Sequence, residues 1–295
     1  MNHSPTRRSL LLALAAAPLA AAVEPLTTTL AMPASALAQL AALEQAHGGR
    51  LGLAALNTAD GAQLLHRAEE RFPFCSTFKM MVAAAILARS AKEPRLLKRR
   101  VRYAKSELVS YSPATEEHVK DGMTVAALCE ATLQLSDNSA GNFLMKLLGG
   151  PAAVTAYART LGDTEFRLDR WETELNSCIP GDPRDTTTPA AMMRTVNKLL
   201  LGEALPAPQR KQLSAWMVGN LTGDTRIRAG APAGSTVADK TGTAGYGTTN
   251  DIGVIWPPGK APIVLAIYLT HPEEGSKPRN DVLAAATKIV ASSFA

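Results

Sequence analysis

Strand-forming segments lie at both ends of this chain, with a long helical block between them. Near the start, "RLGLAALNTADGAQLLHR" reads as two short strands around an Asp60-Gly61 turn. Near the end, "STVADKTGT", "NDIGVIWP" and "APIVLAIYLT" are β-rich, and Pro257-Pro258-Gly259 turns the last two back on each other. From Cys75 to about Leu213 the periodicity is helical, with helices expected at Phe78–Ala88, Val125–Leu135, Ala140–Leu148, Ala152–Leu161 and Ala190–Leu201. Two more helices bracket the strands: "SALAQLAALEQAHGG", stopped by Gly48-Gly49, and the amphipathic "RNDVLAAATKIVASSF". The simplest assembly is one antiparallel sheet drawn from both ends, flanked by the N- and C-terminal helices, with an all-helical domain inserted. The expected class is therefore α/β (α+β), with a sheet domain of residues 34–70 plus 214–295, a helical domain of residues 71–213, and a site between them.

Residues 1–22, "MNHSPTRRSLLLALAAAPLAAA", are set apart from this fold. A basic start, a short apolar run and small residues at its end make an export signal, expected to be cut after Ala20 or Ala22. Arg7-Arg8 followed by Ser-Leu-Leu also fits a twin-arginine signal, and the segment has no Cys for lipid attachment. A periplasmic or secreted protein is expected, with no membrane contact after cleavage. The net charge of +5 and 5% aromatic content give little support for a nucleic-acid partner, and "LLKRRVRYAK" reads as a solvated stretch. Cys75, Cys129 and Cys178 form no C-x-x-C or Cys/His cluster, so no metal site is expected.

Four polar groups stand out in order: Ser76-Thr77-Phe78-Lys79, Ser136-Asp137-Asn138, Glu172 in "RWETELN", and Lys240-Thr241-Gly242. An S-x-x-K should arise about once by chance in a chain this long, whereas each of the two tripeptides is expected well under ~0.1 times. Ser76 starts an apolar helical run and Lys79 follows on the same face, which is a capping Ser with a solvated Lys, or a nucleophile with its base. A Lys buried among apolar side chains gives up its proton more easily, the property a base needs. Ser136-Asp137-Asn138 is also a good helix cap. On the K-T-G-T strand, alternation sends Lys240 and Gly242 to one face and Thr241 and Thr243 to the other. "FRLDRWETELNSCIPGDPRDT" has no steady period and is long for a connection, as functional or self-packed loops are.

With these motifs in this order, nearly the whole chain after the leader resembles the class A serine β-lactamases, among the penicillin-recognising serine enzymes. The resemblance implies acyl transfer from a strained cyclic amide: Ser76 as nucleophile, Lys79 as its proton partner, and Ser136 as donor to the departing nitrogen. It implies an oxyanion hole from the Ser76 and Thr243 N–H groups, and Glu172 with Asn176 around the deacylating water. Asn138 would bind the acyl-side amide, and Gly242 would let substrate approach the backbone. Lys240, Thr241, Thr243 and Arg226 would hold the substrate carboxylate, and Tyr111 would line the rim. Arg170 and Asp185 would brace the loop by an ion pair. The expected enzyme needs no cofactor or metal, acts as a monomer on small β-lactams, and covers a broad penicillin and cephalosporin range. The alternatives are a D-Ala-D-Ala peptidase, disfavoured by Glu172 with Asn176, and a β-lactam sensor that stays acylated, which needs an anchor beyond the leader.

The match is imperfect at the cysteines. In some carbapenem-hydrolysing relatives, a Cys before the nucleophile pairs with one just after K-T-G-T; here that residue is Ala244. The partner that Cys129 finds in other relatives is here Ala83. All three thiols are expected to be free.

Overall fold

The computed structural model describes Met1 and residues 34–295; the proposed leader at residues 1–22 otherwise lies outside the described residues. In chain order the elements begin with α1 (Ala34–His47), β1 (Arg50–Asn57), β2 (Gln63–His66) and β3 (Phe72–Pro73). The helical block holds α2 (Lys79–Ser90), β4 (Arg100–Val101), β5 (Met123–Thr124), α3 (Val125–Gln134), α4 (Asn138–Leu148) and α5 (Pro151–Thr160). After β6 (Thr186–Thr187) come α6 (Pro189–Leu200), α7 (Ala207–Val218) and α8 (Ile227–Gly230). The chain closes with β7 (Thr236–Thr243), β8 (Thr249–Trp256), β9 (Ile263–Thr270) and α9 (Asn280–Ser293).

The main sheet runs β2-β1-β9-β8-β7 and every neighbouring pair is antiparallel, so strands from the two ends of the chain meet where β1 pairs β9. Gly61 sits at φ 77° in the β1–β2 turn, where the expected hairpin lies. Strand β9 displays the layering. Ile263, Leu265, Ile267 and Leu269 join α1 and α9 in one core, while Val264, Ala266 and Tyr268 face α6 and the helical block in the other. Both faces are covered, which is why β8 and β9 read as nearly continuous apolar runs.

The five expected helices are present to within two residues at either end. Two helices and the two-residue strands β3 to β6 were not anticipated: the helices are the short α8, and α7, which contains residue 213, so the expected boundary after that residue falls inside a helix. Apolar period ends at Leu213, but α7 continues to Val218 because Trp216 and Met217 are buried beneath it. Helix α2 is apolar all round and buried along almost its entire length, as a central helix must be. Its first residue, Lys79, therefore has no route to solvent.

One charged cluster ties α1 to the hairpin. The Glu44 carboxylate accepts from Arg67 Nε and Nη2 (both 2.7 Å) and from the Leu51 N–H (3.1 Å), and pairs with His66 Nε2 at 2.9 Å. Burial pushes this carboxyl up, but the hydrogen bonds outweigh it and hold it down at about 2. A depressed carboxylate stabilises above its unfolded value and loses that contribution as pH falls through the folded one. Glu44→Gln is thus expected to cost about 1–2 kcal/mol at pH 7, screened by the exposed Arg67. In urea titrations the difference should vanish between about pH 4.5 and 2; a difference constant across that range would refute the assignment.

Candidate active site

The site forms where the first turn of α2, the N-terminus of α4, strand β7 and the long loop before β6 converge. Ser76 lies on a tight 3-10 turn, Cys75–Phe78, one turn before α2 proper. Lys79 opens the helix, and its Nζ reaches back 3.0 Å to Ser76 Oγ. The same Nζ lies 2.6 Å from Asn138 Oδ1, 2.8 Å from the Ser136 carbonyl, 3.4 Å from Ser136 Oγ and 3.0 Å from Glu172 Oε1. Lys79 and Glu172 have fully buried side chains. Burial pushes Lys79 below its ordinary range, opposed by the Glu172 and Asp137 carboxylates.

Asp137 holds the second motif in place. It caps α4 through the Ala140 N–H (2.8 Å), and its other oxygen accepts the Ala114 and Thr115 N–H groups (both 2.9 Å). That leaves Ser136 in the left-handed region at φ 59° with its carbonyl on Lys79, while Asn138 Nδ2 donates to the Ser110 carbonyl at 2.9 Å. Both sequence readings of Ser136-Asp137-Asn138, cap and site, describe the same three residues.

The irregular loop is pinned at its neck. The Arg170 Nε–Asp185 Oδ2 pair (2.6 Å) forms as expected, and Asp185 Oδ1 also accepts the Asp169 and Arg170 N–H groups. Farther in, Asn142 clasps the Glu172 backbone, donating to its carbonyl at 2.8 Å and accepting its N–H at 3.0 Å. Asn176 Nδ2 donates to Glu172 Oε2 at 2.5 Å.

Strand β7 supplies the opposite wall. Lys240 is fully buried, yet its Nζ extends to Ser136 Oγ (3.1 Å) and the Thr241 carbonyl (2.8 Å). Alternation placed its Cβ on the buried face; the length of the side chain carries the charge to the site. Burial, and then the nearby Lys79 charge, push Lys240 far below its ordinary range. A Cβ on Gly242 would stand 2.7 Å from the Phe74 carbonyl, so only glycine lets the strand lie this close to the nucleophile turn. Arg226 is buried: Nη2 donates to Thr243 Oγ1 (2.6 Å), and Nη1 to the Gly242 and Asn250 carbonyls.

A cavity of about 350 Å³ is lined by Ser76, Tyr111, Ser136, Asn138, Asn176, Thr222, Arg226, Thr241, Gly242 and Thr243. Lys79, Glu172 and Lys240 form its polar underside, and Tyr111 stands 61% exposed at the rim. All twelve residues singled out from sequence thus gather at one place. Three others were missed. Asn142 lies one helical turn from Asn138 in "SDNSAGN", a spacing that could have revealed it. Thr222, whose Oγ1 is 2.5 Å from that of Thr241, and Cys178, 3.4 Å from Cys75, come from irregular segments without a periodic signal.

Residues 35–294 match the beta-lactamase enzyme family. Beta-lactamase Toho-1 of Escherichia coli is 54% identical over 288 residues, 98% of each chain. The carbapenem-hydrolyzing beta-lactamase KPC of Klebsiella oxytoca is 54% identical over 250 residues, 84% of this chain and 85% of its own. The crystal structure of a beta-lactamase from Desulfarculus baarsii, 58% identical, superposes with a TM-score of 0.87 over 88% of this chain and 97% of that one. At this identity, over this length and with this fold, the chain belongs to the beta-lactamase enzyme family as a class A enzyme that hydrolyses β-lactams.

Proposed function

We propose that hydrolysis runs through an acyl-enzyme on Ser76 that water, activated by Glu172, then cleaves. The observation that carries this is that one buried ammonium, Lys79 Nζ, lies within 3.4 Å of Ser76 Oγ, Ser136 Oγ and Glu172 Oε1 together. Lys79 can accept a proton only after passing one to Glu172, so the pair acts as one acid–base unit. Neutral Lys79 takes the Ser76 proton as Oγ attacks the lactam carbonyl. The oxyanion faces the Ser76 and Thr243 N–H groups; one such donor typically contributes about 2.7–4 kcal/mol. As the C–N bond breaks, Ser136 protonates the nitrogen and is resupplied by Lys79, which recovers its proton from Glu172. Glu172, ionised again and oriented by Asn176 and Asn142, then takes a proton from the attacking water.

Lys240, Thr241 and Thr243 bind the substrate carboxylate, with Arg226 behind them. Thr243 Oγ1 already accepts from Arg226, so its own hydrogen is left to donate into the cavity. Asn138 takes the acyl-side amide and Tyr111 the rim. The substrates are small β-lactams, with penicillins and cephalosporins in range and the chain acting as an exported monomer. Among the described residues, no helix is long and apolar enough to cross a membrane.

The test is the stoichiometry of hydrolysis of a chromogenic cephalosporin. Many product molecules per enzyme support turnover; a burst equal to the enzyme concentration with nothing after it would identify a sensor that stays acylated.

A further inference from the structure

Cys75 immediately precedes the nucleophile, and Cys178 lies two residues beyond Asn176. They are 103 positions apart, yet their sulfurs are 3.4 Å apart, both free and both buried. Each residue is held in the left-handed region, Cys75 at φ 47° and Cys178 at φ 52°, which side-chain-bearing residues seldom adopt. The third cysteine, Cys129, is buried in α3.

Cys178 also borders a second cavity, of about 530 Å³, behind the loop and against the ends of β1 and β9. Its walls carry four arginines, Arg50, Arg71, Arg170 and Arg184, paired in turn with Glu70, Glu165, Asp185 and Asp182. This cavity shares no residue with the lining of the substrate cavity. We propose that Cys75 and Cys178 are an oxidisable pair: a small-molecule disulfide, admitted through this second cavity, converts them to a bridge stapling the nucleophile turn to the Glu172 loop.

The chemistry divides between the two sulfurs. The two thiols are hydrogen-bonded to each other; this contact, with Thr248 and Arg170, draws the Cys178 thiol down, while burial pushes Cys75 well up. The Cys178 thiolate attacks one sulfur of the disulfide, forming a mixed disulfide and expelling one thiolate. Cys75 gives its proton to that thiolate and attacks Cys178 Sγ, expelling the second. Two protein thiols are oxidised and one small disulfide is reduced to two thiols. The sulfurs must close from 3.4 Å to about 2.05 Å. In the reduced protein the loop is tied by the Arg170–Asp185 neck and the Asn142 clasp; the bridge adds a third tether across a long chain segment.

The experiment is incubation of the purified enzyme with glutathione disulfide, alkylation without reductant, and peptide mapping by mass spectrometry. A Cys75–Cys178 crosslinked peptide is expected, with free thiols falling from three to one. The thermal midpoint should rise by roughly 5–10 °C and return on reduction with dithiothreitol. Cys178→Ser should remove both effects, and Cys129→Ser should keep both. Three persistent thiols, a glutathione adduct that stays on Cys178, or a midpoint shift that survives in Cys178→Ser would each overturn the proposal. Mass and thiol count do not depend on turnover, so this result stands apart from the roles given to Ser76 and Glu172.

Discussion

Glu172→Ala is expected to remain acylated on Ser76 after a single encounter with substrate, with steady-state hydrolysis slowed by roughly 10²–10⁴-fold, the usual contribution of a general base. The variant keeps Ser76, Ser136 and Lys240, and so keeps the nucleophile, the donor to the departing nitrogen and the carboxylate site. What it loses is the oxygen 3.0 Å from Lys79 and the carboxylate fixed by Asn176. The first loss slows acylation, because Lys79 no longer has a neighbour to take its proton. The second removes the base for water altogether, so deacylation suffers more and the intermediate accumulates. Intact-mass spectrometry after mixing with a cephalosporin should find the adduct, and peptide mapping should place it on Ser76. The backbone clasp by Asn142 uses only main-chain atoms of residue 172, so the loop should keep its course in the variant. If Glu172→Ala turned over at the wild-type rate with no adduct, the base would have to be Lys79 alone.

The parts of this site legible in sequence are those whose chemistry is local. Ser76 and Lys79 share a turn, Asp137 caps the helix that follows it, and Lys240 to Thr243 occupy one strand, so spacing alone orders each group. The sheet was legible for a similar reason, since the alternating and continuous apolar runs of β1, β8 and β9 state which faces are buried. What sequence did not supply is contact between irregular segments. For Cys75 the sequence offers only the position after K-T-G-T, where Ala244 leaves it no partner; the loop instead folds Cys178 onto Cys75 from another direction. Thr222 reaches Thr241 from the connection between α7 and α8, a stretch with no period. Lys240 illustrates the converse: alternation gives the face of its Cβ correctly, but a four-carbon stem lets the charge act elsewhere.

Asp185→Ala is expected to damage stability and turnover together. The Asp185 side chain is fully buried and serves three donors: the N–H groups of Asp169 (2.8 Å) and Arg170 (3.0 Å), and Arg170 Nε (2.6 Å). Truncation leaves all three facing a hole. Breaking a buried ion pair typically costs about 3–5 kcal/mol; Arg170 is 17% exposed and can recover some hydration, so the lower end applies. At about 2–4 °C per kcal/mol, the thermal midpoint should fall by roughly 6–10 °C. The neck also fixes where the loop departs after α5 and returns before α6, so Glu172 would then depend mainly on Asn142 for its place. Acylation, which uses Ser76 on its own rigid turn, should suffer less than deacylation. The signature is thus a lower midpoint accompanied by acyl-enzyme accumulating at temperatures where the protein is still folded. Asp185→Asn retains an oxygen for a backbone N–H but no charge for Arg170, and should fall between the two on both measures. A variant with the lowered midpoint but wild-type turnover and no adduct would mean that the ion pair stabilises the fold without positioning Glu172.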